Sequence, residues 1–168
     1  MIYPVSKAHP PKCATHRPEA SRLRQESNYR ALVVSADTER QERLCQEATT
    51  GGWDVILCEL AGEALQVLDL QIVQLAIVDL IGPRGISPPD YPHVCQHLAC
   101  QTRLLQVICG HNGNTQEEIW ARQLGVWIYL TDVLEVGQVH HVCETARSIT
   151  RPGQRIWQRT DQIEAFES

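Results

Sequence analysis

The chain has 168 residues, of which 43% are hydrophobic, and it carries a formal net charge of −5. This length suits one domain of ordinary size with tails, and the apolar fraction is sufficient for a core. The acidic balance, with a pI near 5.8, argues against a nucleic-acid or anionic-membrane surface, because either would require concentrated basic charge.

No apolar stretch is long enough to span a membrane, and the N-terminus lacks the apolar core of a secretion signal. We therefore expect a cytoplasmic protein without a membrane partner. The seven cysteines contain no C-x-x-C pair and mostly lie within apolar patterns, which is typical of reduced, buried thiols. We expect no disulfide framework.

The chain divides into three parts. Residues 1–28 contain four of the nine prolines and show no hydrophobic periodicity, which predicts a flexible N-terminal tail. Residues 29–150 form the predicted domain, and residues 151–168 form a C-terminal extension after a Pro-Gly pair. Trp157 and Phe166 in this extension are expected to pack back on the domain or against a partner.

Short apolar runs alternate with amphipathic segments through the middle part. Five strands alternating with five helices indicate an α/β fold, a doubly wound parallel sheet with helices on both faces and right-handed crossovers. The sequence Thr115-Gln-Glu-Glu matches a capping box and is predicted to begin the fourth helix. The predicted elements, in chain order, are a strand from residue 30 that ends in a turn at 37, helix 38–49, strand 53–58, helix 62–70, strand 73–79, helix 93–103, strand 104–109, helix 115–124, strand 126–131 and helix 134–149.

The third predicted strand ends in a single carboxylate, Asp79. A loop with Gly82, Pro83 and Gly85 follows, as expected where a buried parallel strand reaches the sheet edge at which ligands collect. Asp79 is therefore a candidate functional residue, and the alternative is an acid that caps the turn. We expect it to act as a hydrogen-bond acceptor, with Arg84 or loop amides favouring its charged form.

Three segments together resemble the receiver domain of bacterial two-component response regulators, over about residues 30–150. The resemblance implies a CheY-like, flavodoxin-like fold with strand order 2-1-3-4-5 and places Asp79 at the phosphoacceptor position. It places Gly110 and Tyr129 at the two switch positions, which in the family hold a hydroxyl residue and an aromatic residue. The segments are 31–39 (ALVVSADTE), 62–85 (a helix and the strand that ends in Asp79) and 121–131 (ARQLGVWIYLT).

The chain departs from the family at the acidic site. An adjacent acidic pair after the first strand binds a divalent cation in receivers, but here those positions are Ser35 and Ala36, with only Asp37 beside them. Magnesium needs several oxygen ligands and would bind poorly. The family's lysine after the fifth strand aligns with Asp132, and the two lysines of the chain lie in the N-terminal tail. Phosphoryl transfer requires preorganised positive charge, so we predict a non-enzymatic, degenerate receiver without metal or cofactor.

The residues leave other interpretations open. One is a phosphorylatable receiver that accepts phosphate on Asp79 in a phosphorelay, and another is a flavodoxin-like enzyme. The first loop has no glycine-rich phosphate cradle, which argues against a Rossmann or P-loop enzyme. There are three further candidate sites. Cys109-Gly-His111 could form a thiol site, and zinc-type spacings occur at His93, His97 and Cys100 and at His9, Cys13 and His16. The ordinary alternatives are buried thiols and solvated histidines.

Residues 115–149 form the predicted partner surface, because the corresponding face is the usual signalling surface of receivers. Trp127 and Ile128 stand where the family commonly has small or polar residues, and Trp120 lies on the adjoining helix. Clustered aromatic residues are typical of interface hot spots. We therefore expect a protein partner, or a second copy of the chain, to bind here. The alternative is that the C-terminal extension covers Trp127.

Overall fold

The structure, a computed structural model, describes residues 29–131 and 137–150. The predictions for the two tails and for Asp132 lie outside these residues. The strands are β1 (Arg30–Val34), β2 (Asp54–Cys58), β3 (Leu75–Asp79), β4 (Leu105–Gly110) and β5 (Ile128–Thr131). The helices are α1 (Thr38–Thr50), α2 (Ala61–Leu70), α3 (Tyr91–Ala99), α4 (Thr115–Gln123) and α5 (Gln138–Ile149).

The five strands form one parallel sheet in the order β2-β1-β3-β4-β5. This topology confirms the predicted fold. Strand β3 is central, since Leu75 is in register with Ala31 of β1 and with Leu105 of β4. All of its residues are buried, which explains why its sequence is continuously apolar up to Asp79.

Each face of the sheet carries its own hydrophobic core, because side chains alternate between the two faces along a strand. Ala31 and Val33 belong to the cluster that includes residues of α1 and α5, whereas Leu32 and Val34 belong to the cluster with residues of α2, α3 and α4. The α5 side is also fixed by a polar contact, in which the buried Trp53 indole donates to the Cys143 carbonyl at 2.9 Å.

The third helix differs from its predicted bounds at both ends. It starts at Tyr91, not at His93, because Pro92 fits the first helical turn, where its missing N–H leaves no hydrogen bond unmade. It ends at Ala99, since the chain turns at Thr102 and Arg103 into β4. A pattern without a glycine stop could not locate this end.

The fourth helix begins at Thr115 as predicted, but its capping residue differs from the prediction. Asn114, not Thr115, is its N-cap residue, and the Asn114 side chain accepts a hydrogen bond from the Glu117 amide at 3.2 Å. Glu118, the expected acidic member of the capping box, is instead paired with Arg122 at 2.7 Å. Glu117 is thereby left to point toward the end of β4.

The last two elements begin later than predicted. Strand β5 begins at Ile128, and α5 begins at Gln138 after Gly137, whose φ of 88° favours glycine. Within the two described stretches, no helix has the length and apolar content to cross a membrane.

Candidate functional site

Asp79 lies at the carboxyl edge of the sheet and is 0% exposed. Strand β1 is the neighbour of β3, so the residues that follow β1 lie beside Asp79. Ser35 follows the strand directly, and Asp37 is the N-cap of α1, where its side chain accepts from the Arg40 amide at 3.1 Å. This cap orients the first turn of α1 and brings the Arg40 side chain over the end of β3.

Every lone-pair direction of the Asp79 carboxylate is used by a donor of this chain. Arg40 donates through Nε to Oδ2 at 2.7 Å and through Nη2 to Oδ1 at 2.9 Å, a bidentate ion pair. The Ser35 hydroxyl donates to Oδ2 at 3.0 Å and the Ile81 amide donates to Oδ1 at 3.2 Å. The Arg40 side chain is 10% exposed. The pair is therefore shielded from solvent.

The ion pair also stabilises the charged form of Arg40. Burial lowers the pKa of Arg40, but its hydrogen bond to Asp79 and the charge of Asp79 outweigh burial, and the net pKa is raised. The guanidinium is thus a permanent cation at this edge.

The prediction that Asp79 accepts from a loop amide is confirmed by the Ile81 contact. The prediction that Arg84 supplies the cation is wrong. Arg84 is exposed and adopts a left-handed conformation with φ of 61° in the turn after β3, and the cation comes from Arg40 instead. A signal for Arg40 was present in the sequence, because it lies in the first turn of the helix that begins at the same sheet edge.

The residues at this edge do not fit the divalent cation that receivers bind. Both Asp79 oxygens are occupied by donors, and Arg40 places a positive charge where the metal would need an acidic ligand. Ser35 donates to Asp79, Ala36 has no ligand atom, and the Asp37 carboxylate caps α1. Among the described residues, no group of three or more His, Cys, Asp or Glu side chains could hold a metal ion.

A second polar centre lies at the ends of β4 and β5, at the two predicted switch positions. The Tyr129 hydroxyl donates to Glu117 Oε1 at 2.8 Å, and the His111 amide donates to the same oxygen at 2.8 Å. A Cβ atom at Gly110 would overlap the Tyr129 hydroxyl and Glu117 Oε1. Glycine at position 110 is thus required for this arrangement. Burial and the Glu117 contact raise the pKa of Tyr129.

His111 joins this centre to the loop after β3. Its Nδ1 lies 3.0 Å from Glu117 Oε2, and its Nε2 lies 2.9 Å from the Gly85 carbonyl oxygen. The hydrogen bond to Gly85 and the Glu117 carboxylate raise the pKa of His111, although burial opposes them. Glu117 and His111 in these roles were missed by the sequence reasoning, which read Glu117 only as part of a helix start.

The candidate thiol site is not assembled. Cys109 is fully buried, burial raises the pKa of its thiol well above the usual value, and both ring nitrogens of His111 contact other groups. Burial also raises the pKa of Cys95 and of Cys143 to about 12. The six described cysteines are free thiols. Within the described residues, His93, His97 and Cys100 do not form a group that could hold a metal ion. His9, Cys13 and His16 lie outside the described residues.

The three predicted interface residues are half-buried. Trp120 packs against the core cluster on the α4 side, whereas Trp127 and Ile128 pack against the cluster on the α5 side. Trp120 and Trp127 therefore flank the edge strand β5 from opposite faces of the sheet, and Ile128 is the first residue of that strand. Ile119 on α4 is the more exposed apolar residue here, at 43%.

Comparisons with known proteins place this geometry in a known fold. No protein-family model matches the chain, and no curated protein is similar to it. Solved structures do match. The receiver domain of Francisella response regulator 1452 has 19% identity and a TM-score of 0.59, with 74% of this chain and 100% of that chain covered.

Two further structures give the same result. HP1043, an orphan response regulator of H. pylori, has 11% identity and a TM-score of 0.58, with 74% of this chain and 98% of that chain covered. A CheY-like receiver domain protein from Methanospirillum hungatei has 14% identity and a TM-score of 0.57, with 71% and 97% covered. The resemblance found in the sequence is thus confirmed at the level of the fold.

Proposed function

We propose that this chain, which has the fold of response-regulator receiver domains, is a signalling module that works by binding a protein and not by phosphorylation of Asp79. The observation that supports this most directly is the bidentate ion pair between Arg40 and Asp79. The Asp79 oxygens that a divalent cation would have to contact are thus occupied by a cation of the chain itself.

The ion pair opposes phosphorylation energetically. An Asp79 oxygen can attack phosphorus only after releasing donors, and each hydrogen bond between charged groups contributes about 1.5–3 kcal/mol. Releasing both Arg40 contacts therefore adds roughly 3–6 kcal/mol to the barrier, a slowing of about 10²- to 10⁴-fold. The developing charge would also lack a lysine, since both lysines precede the domain.

Phosphodonor labelling tests this part of the proposal. The protein, Asp79→Asn and Arg40→Gln are incubated with acetyl phosphate and magnesium, and the intact masses are measured. We expect no phosphoryl gain in the parent or in Asp79→Asn. We also expect none in Arg40→Gln, because this variant removes the competing cation without creating metal ligands. A gain in the parent that disappears in Asp79→Asn would establish the phosphorylatable alternative.

The partner surface of the proposal is the face formed by α4, β5 and α5. Trp120 and Trp127 flank β5, and Ile119 presents apolar area to solvent. Strand β5 pairs only with β4 in the described sheet, so this side of the sheet is an edge. Two half-buried tryptophans on either side of an edge strand, together with an exposed aliphatic residue on α4, form a suitable centre for an interface. The partner we propose is a second copy of this chain.

Self-association can be measured by light scattering over a range of concentrations. We expect the parent to dimerise and Ile119→Asp to weaken the dimer, because the charge would be desolvated in the contact. Leu70→Asp is the matched control, since Leu70 is 82% exposed and lies on α2, away from β5. A parent that stays monomeric, or equal weakening by both variants, would contradict this surface.

A further inference from the structure

The contacts of the His111 ring require both of its nitrogens to carry protons. Nε2 faces the Gly85 carbonyl oxygen at 2.9 Å, and Nδ1 faces the Glu117 carboxylate at 3.0 Å. A carbonyl and a carboxylate only accept hydrogen bonds, and a neutral imidazole can donate only one. Both contacts therefore exist together only in the imidazolium form.

These two contacts join parts of the chain that are far apart in sequence. Gly85 belongs to the loop that follows Asp79, whereas Glu117 belongs to α4 and also accepts from the Tyr129 hydroxyl on β5. His111 itself follows β4. The ring is thus a bridge between the loop beside the Arg40 and Asp79 pair and the face that we propose binds a partner.

We propose that His111 is a proton-dependent link, which in its doubly protonated form ties the loop at Gly85 to α4 and Tyr129, and which loses one of these ties when the ring becomes neutral. This inference adds regulation to the proposed binding face and rests on that proposal only for its biological consequence. The link itself is intramolecular.

The charges around the ring agree with this role. Glu117 contacts it from α4, and Asp79 acts on it from the end of β3, where Arg40 is paired with Asp79. Arg84 precedes Gly85 in the loop and is exposed. The ring side chain is 29% exposed, so protons have access to it. The folded pKa is raised above the unfolded value, so the stabilisation is complete below about pH 6.5 and is lost as pH rises through the folded pKa.

Ring signals in NMR spectra of the full chain test the link without a partner or a phosphodonor. The protein is labelled on histidine and tyrosine rings and titrated from about pH 5 to about pH 9, the range in which histidines change charge. We expect a His111 midpoint above about 6.5, with both nitrogens protonated below it. The Tyr129 ring signals should shift with the same midpoint, because Tyr129 shares Glu117 with His111.

Three variants separate the link from a general effect of pH. Glu117→Gln removes the charge and should move the His111 midpoint down toward about 6.5, and His111→Gln should abolish the transition at Tyr129. His93→Gln is the matched control, since His93 is exposed on α3, and it should leave that transition intact. A His111 midpoint at or below about 6.5, or a Tyr129 transition that persists in His111→Gln, would overturn the proposal. Either result would leave the labelling and light-scattering tests unaffected.

Discussion

Replacement of Arg40 by methionine is expected to destabilise the fold strongly, because it leaves a buried carboxylate without its cation. Asp79 is 0% exposed, so water cannot replace the lost donors unless the sheet edge opens. The Ser35 hydroxyl and the Ile81 amide remain as donors. Breaking a buried ion pair from one side costs about 3–5 kcal/mol, and we expect about 3 kcal/mol here because these two donors persist.

Urea unfolding followed by tryptophan fluorescence measures this loss, and Trp53 is a buried reporter at 3% exposure. Asp79→Asn should cost less, about 1–2 kcal/mol, since an amide oxygen still accepts from Arg40. The double variant should be about 2 kcal/mol more stable than the sum of the two losses predicts, because each single change already breaks the same pair. A loss under about 1 kcal/mol in Arg40→Met would refute a buried ion pair at this edge.

Three other predictions concern the close packing at Gly110, the Tyr91 hydroxyl and the buried cysteines. Gly110→Ala should destabilise by about 1–3 kcal/mol through overlap with Tyr129 and Glu117, whereas Gly62→Ala, with nothing within 4 Å of the added Cβ in α2, should be neutral or stabilise by up to about 1 kcal/mol in the same urea assay. Tyr91→Phe should cost about 1–2 kcal/mol, because the Tyr91 hydroxyl donates to the Glu59 carbonyl at 2.6 Å; an unchanged unfolding midpoint would contradict that contact. Iodoacetamide at mildly alkaline pH should alkylate the exposed Cys100 well before the buried Cys95, Cys109 and Cys143, as peptide masses would report, and early labelling of Cys109 would show that the edge opens.

The order of strands and helices along the chain could be predicted because each element carries a local pattern, whereas the strand order within the sheet was implied by the family resemblance. Apolar runs of strand length alternate with amphipathic segments, and the carboxylate that ends β3 lies where the pattern changes from buried to loop. The exact ends of the helices were harder to predict from the sequence. The predicted start at His93 leaves Pro92 outside α3 although it fits the first turn, and Asn114 caps α4 although the neighbouring Thr115 matches the capping pattern.

The contacts of the site could not be read from sequence distance. Arg84 is five positions from Asp79, yet the turn directs its backbone into a left-handed conformation and its side chain into solvent. Arg40 is 39 positions away and reaches the carboxylate because β1 and β3 are neighbours. A buried carboxylate requires a compensating cation, and Arg40 lies in the first turn of the helix that begins at the same sheet edge.

The two acids at this edge, the buried Asp79 and the partly buried Glu117, differ in whether the charge that balances them can change. Asp79 is balanced by an arginine, whose charge is fixed at any physiological pH, so no proton or metal is needed to stabilise it. Glu117 is balanced by a histidine, whose charge is not fixed. An external anion beside Asp79 would be repelled by that carboxylate and would have to displace it from Arg40. Removal of a proton from His111, in contrast, changes only the link between Gly85 and α4. Among the described residues of this edge, His111 is therefore the one whose charge changes with pH. Its protonation affects α4 and Tyr129, which lie on the face where a partner would bind.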